Sequence, residues 1–126
     1  MTALATIGIF GAYLLLLGIT GMLVPDVLLK AIGMPASQDV WPRVAGMLVT
    51  NYGLLYVWIV QTRAMAILRY TVYARILVLF YLGAFVAAGL VQPIIVVFGA
   101  ADAAGGLWTL WALRREERLA GTPARP

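Results

Sequence analysis

Four apolar stretches, each about 20 residues long, take up most of this chain and constrain its fold more than any other feature. They cover residues 3–24, 41–60, 70–88 and 93–113. At a rise of about 1.5 Å per residue, each is long enough to cross about 30 Å of hydrocarbon as a helix. Hydrocarbon offers no partner to a backbone N–H or C=O, so a spanning segment must satisfy its own hydrogen bonds, and isolated apolar runs do so as helices. The expected fold class is therefore all-α, a four-transmembrane-helix antiparallel bundle. Composition agrees: 63% of the 126 residues are hydrophobic and 11% are charged. A soluble domain of this size could not cover so much apolar surface with so few charges. Residues 1–113 form one four-span membrane domain, and residues 114–126 a basic cytoplasmic tail. The opening MTALATIGIFGAYLLLLGITGMLV has no basic leader and too long an apolar run for a cleaved signal, so it reads as a retained first span.

The charged residues set the orientation. Arg63 and Arg69 lie between the second and third spans, and Arg114, Arg115 and Arg118 follow the fourth. The first loop carries Asp26, Lys30, Asp39 and Arg43, which cancel, and the turn before Pro93 carries no charge. Arginine gathers on the cytoplasmic side of membrane proteins, so both termini and the second loop are expected in the cytoplasm. Trp58, Tyr70, Tyr73, Trp108 and Trp111 fall towards that face, with Trp41 opposite, as interfacial aromatic belts require. The net charge of +4 follows this topology and does not form a basic face for nucleic acid.

No cysteine or histidine is present. Disulfides, thiolate nucleophiles, catalytic triads built on His or Cys, and histidine-ligated haem are thereby excluded. No metal site and no cofactor is expected. The first loop has structure of its own: Pro25 and Asp26 suit a helix start, and Gly33 before Met34-Pro35 suits its end. It reads as a short interfacial helix covering that face.

Asp102 is the residue most expressive of function. It stands in the middle of the last apolar run, where a carboxyl group is costly and normally faces a partner, a cavity or a proton path. Depth arithmetic places Tyr13, Asn51, Tyr81 and Asp102 each about 15 Å into its span, so four helices could share one polar layer. Tyr13 also continues a stripe with Thr6 and Thr20. Such a layer can be interhelical glue, each bond contributing under about 1 kcal/mol. It can also bind a lipophilic molecule's polar atom, or do acid–base work with Asp102 as the catalytic group. Gly99 and Gly106 lie on the approximate face of Asp102 and should touch a neighbouring helix or line a narrow pocket. Arg43 and Arg75 enter their spans from opposite ends; each can snorkel to its own interface or bracket a ligand's polar ends.

The order of features resembles that of small DoxX-like bacterial membrane proteins. It comprises P-x-x-L-L-x-x-I-G at 25–33, R-x-x-G at 43–46, N-Y-G-L-L-Y at 51–56, the inward Arg75, and F-G-x-x-D at 98–102. The resemblance implies a four-helix bundle in a bacterial inner membrane, in a group some of whose members are associated with oxidoreductases or quinol metabolism. Three functions fit these residues. One is an accessory or lipophilic-ligand-binding membrane protein, in a homo-oligomer or a larger membrane assembly. The second is an intramembrane acid–base enzyme of isomerase or cyclase type. The third is an oligomeric proton-coupled transporter.

Overall fold

A computed structural model of the chain describes residues 1–121. Among these residues the protein is all-α, and four helices are long and apolar enough to cross a membrane. It is a small multi-pass membrane protein. Helix α1 is Ala3–Leu23, the short α2 is Pro25–Ala31, α3 is Trp41–Thr62 and α4 is Met65–Ala87. A 3-10 turn at Pro93–Ile95 leads into α5, Val96–Ala120.

The breaks between helices follow local chemistry. Val24 precedes a proline, which disfavours helical backbone, and it leaves α1 at φ −135°, ψ 63°. Pro25 then opens α2, where its missing N–H costs nothing. Gly33 and Gly89 adopt φ of +73° and +71°, the left-handed conformation that closes helices. Each is followed by the paired bonds of a Schellman ending. Met34 N–H donates to Leu29 O and Gly33 N–H to Lys30 O; Leu90 N–H donates to Phe85 O and Gly89 N–H to Val86 O. Between α3 and α4 the reversal is tighter, with Arg63 at φ 53° and Met65 N–H donating to Arg63 O across Ala64.

Two boundaries differ from those read off the sequence. Helix α4 starts at Met65, several residues ahead of Tyr70, because Arg69 lies on the helix and pairs with Glu117 instead of marking a loop. Helix α5 runs past Leu113 to Ala120, since Arg and Glu are good helix formers once outside the apolar run. The expected tail from 114 is thus helical up to Ala120, and residues 122–126 lie outside the described residues.

The chain divides into two compact units: Gly8–Thr62, and Met1–Ile7 together with the chain from Arg63 onward. In the first, α1 and α3 run antiparallel and touch backbone to backbone through glycine. A Cβ on Gly46 would lie 2.4 Å from Met22 N and 2.8 Å from Gly18 O; one on Gly18 would lie 2.5 Å from Thr50 N. Gly53 abuts the Leu15 side chain, and Gly11 abuts Tyr56. Lipid is as apolar as leucine, so association in a bilayer depends on such close van der Waals approach. Buried Tyr56 and Phe10 pack with ring centroids 5.9 Å apart and planes tilted by 37° beside the glycine seam. Arg43 Nη1 donates to Met22 O and Leu23 O, both at 2.9 Å, satisfying carbonyls at the end of α1. Asp26, in the first turn of α2, accepts the Ser37 N–H and ties down the loop beyond α2.

In the second unit α4 and α5 form an antiparallel pair. A Cβ on Gly99 would sit 3.0 Å from Leu79 Cα, and one on Gly106 3.3 Å from Val72 O. Both glycines therefore face α4, as their spacing about Asp102 predicts. Gly106→Leu should cost about 1–3 kcal/mol of stability by overpacking this seam, read as a lower denaturant midpoint in detergent. An unchanged midpoint would contradict the packing.

Candidate functional site

Arg75 stands near the middle of the 23-residue α4, and its side chain is only 2% exposed. Apolar surroundings make a permanent cation expensive unless its donors find acceptors. Arg75 Nη1 donates to Thr109 Oγ1 on α5 at 3.3 Å. Thr109 and Thr6, both fully buried, share a hydrogen bond at 3.0 Å. Thr6 Oγ1 also lies 2.7 Å from Ala3 O, and Thr109 Oγ1 3.0 Å from Gly105 O. Three helices thus meet at one polar cluster, and the first turns of α1 are held to it. A second contact holds the same end. The Ala3 N–H, one of the donors a helix start leaves unsatisfied, reaches Glu116 Oε1 at 3.0 Å.

Asp102 is part-buried on the α4-facing side of α5, between Gly99 and Gly106. The Arg75 guanidinium lies within electrostatic reach of its carboxyl group. The two helices run antiparallel, which sets the directions their side chains start from. Every Cα–Cβ bond tilts towards its own helix N-terminus, and in an antiparallel pair those directions are opposite. The contact of Arg75 with Thr109 follows the tilt expected on α4.

The other expected site residues are distributed as follows. Tyr81 is 59% exposed, and among the described residues no hydrogen bond joins it to Asp102. Tyr13 is 37% exposed with its ring 5.4 Å from that of Phe10. Asn51 is exposed near the middle of the 22-residue α3. Arg43 is engaged with the end of α1. Tyr13 and Asn51 lie in the first unit, and Tyr81 and Asp102 in the second. Of the two arginines, Arg75 is the one drawn inward, as its depth in the span suggests.

Thr109 and Glu116 are the participants that sequence reasoning missed, while Thr6 was noted only as part of the stripe with Tyr13. Thr109 was legible in principle, since it continues the face of Asp102 and Gly106 at helical spacing. Among the described residues, no group of three or more His, Cys, Asp or Glu side chains is placed to hold a metal ion. No family model, no curated protein and no solved structure matches the chain.

Proposed function

We propose that this is an accessory membrane protein that works by side-to-side association with other membrane helices, either a second copy or a larger assembly. The observation that carries this reading is Asn51, an exposed carboxamide near the middle of an apolar spanning helix. A polar side chain at that depth gains a hydrogen bond when another helix covers it, and loses one when it faces lipid. The DoxX-like resemblance is in keeping with an accessory role. Asn51→Leu should leave the helical content unchanged and shift the protein to a smaller species on size-exclusion chromatography in mild detergent. The same elution for both proteins would count against it.

A second reading rests on the neighbouring charges of Asp102 and Arg75. A titratable carboxyl group beside a fixed cation suits proton coupling or acid–base chemistry on a lipophilic substrate, with Asp102 as the working group. Asp102→Asn keeps most hydrogen-bonding capacity and removes the titratable proton. It separates the readings: association survives the change, whereas proton-linked activity does not.

The membrane is proposed to be a bacterial inner membrane, with both termini in the cytoplasm. Arg63, Arg69, Arg114, Arg115 and Arg118 support this orientation. Reporter fusions at the C-terminus and within 25–40 should report opposite compartments, the C-terminal one cytoplasmic. A C-terminal reporter active only outside the cytoplasm would reverse the topology.

A further inference from the structure

We infer that the C-terminal half of α5 carries a binding face for an anionic phospholipid, with the acyl chains against Leu107, Leu110 and Trp111 and the phosphate among Arg114, Arg115 and Arg118. These six side chains line one concavity along the helix. Their spacing places them on one side of α5, with the apolar members inside the apolar run that ends at Leu113 and the arginines following it. That sequence of surfaces, hydrocarbon-like and then cationic, matches the order of acyl chain and phosphate in a lipid.

The distribution of charge on α5 is the independent support. The helix also carries Glu116 and Glu117, which would neutralise the arginines if they shared that face. They do not. Glu116 turns to the Ala3 N–H, and Glu117 pairs with Arg69 of α4. Both acids are thus occupied on the helix-packing side, away from the exposed face that carries Arg114 and Arg115. Arg115 lies over the Trp111 ring, its guanidinium carbon 5.6 Å from the centroid. The planar stack holds one cation at the level where indole rings sit in the headgroup region. Leu107 and Trp111 are each more than half exposed, and Arg114, Arg115 and Arg118 are exposed, so the face is open to a lipid. Arginine's fork of donors suits a phosphate diester oxygen pair better than a point charge would.

The test uses the full chain in nanodiscs of phosphatidylcholine and phosphatidylglycerol at three to one, with retained lipid identified by native mass spectrometry. The wild type should retain phosphatidylglycerol well above its share of the mixture. Each basic residue near an anionic surface contributes about a fivefold preference, so Arg114→Gln, Arg115→Gln and Arg118→Gln together should reduce retention by roughly a hundredfold. The triple Arg→Lys variant should keep most of the preference, and Lys30→Gln on α2 should keep all of it. Far-UV circular dichroism confirms that the helix survives each change. Equal retention of the two lipids by the wild type would overturn the inference. So would undiminished phosphatidylglycerol retention by the folded triple Gln variant.

Discussion

Gly46→Ala should lower the stability of the protein in detergent by about 2–3 kcal/mol, a large effect for a single methyl group. The added Cβ would lie 2.4 Å from Met22 N, 2.6 Å from Gly21 C and 2.8 Å from Gly18 O. All three are backbone atoms of α1, so no side chain can swing aside, and the two helices must separate along the whole seam. Dispersion falls steeply with such a gap, and lipid supplies no compensating hydrophobic force between helices. Gly83→Ala is the matched control. A Cβ there meets nothing within 4 Å, and an exposed helical glycine gains roughly 0.5–1 kcal/mol on becoming alanine. Denaturant titration of both variants should therefore give shifts of opposite sign. A tolerated Gly46→Ala would mean that α1 and α3 do not meet through their backbones.

Arg75→Ala is expected to be comparably damaging, for a different reason. Deleting a large, almost fully buried side chain leaves a cavity, and such truncations cost about 2–5 kcal/mol. It also removes the donor to Thr109 and the positive neighbour of Asp102. Arg75→Met restores most of the volume without the charge, so the difference between the two variants separates packing from electrostatics. Because Asp102 and Arg75 interact electrostatically, Arg75→Met and Asp102→Asn should be non-additive by about 0.5 kcal/mol or more in a double-mutant cycle. Full additivity would mean that the two charges do not sense one another, and would remove the support for the proton-coupled reading.

The spans were legible because hydrophobic length is a strong signal and lipid permits few answers to it. The seam between α4 and α5 was legible too, since Gly99, Asp102 and Gly106 announce one face. The seam between α1 and α3 was not. Gly11 and Gly18, and Gly46 and Gly53, repeat at seven residues on two antiparallel helices, but glycine is abundant here and either pair alone is unremarkable in apolar sequence. The stripe of Thr6, Tyr13 and Thr20 illustrates a different limit. Helical phase drifts by about 20° per seven residues, so residues that begin on one face do not share one environment. Thr6 is fully buried against Thr109, whereas Tyr13 is partly exposed. Depth arithmetic puts Tyr81 and Asp102 at one level, but depth says nothing of direction around the helix axis, and Tyr81 is exposed whereas Asp102 is part-buried. The contact between Glu116 and Ala3 joins the two ends of the chain, and no local pattern could have foretold it.

Native mass spectrometry of the wild-type protein, released gently from the membrane in which it is expressed, tests the accessory role most directly. A defined complex is expected, containing either a second copy of the chain or another membrane protein, and it should be lost in Asn51→Leu. A wild-type protein that emerges only as a monomer with bound lipid would contradict it.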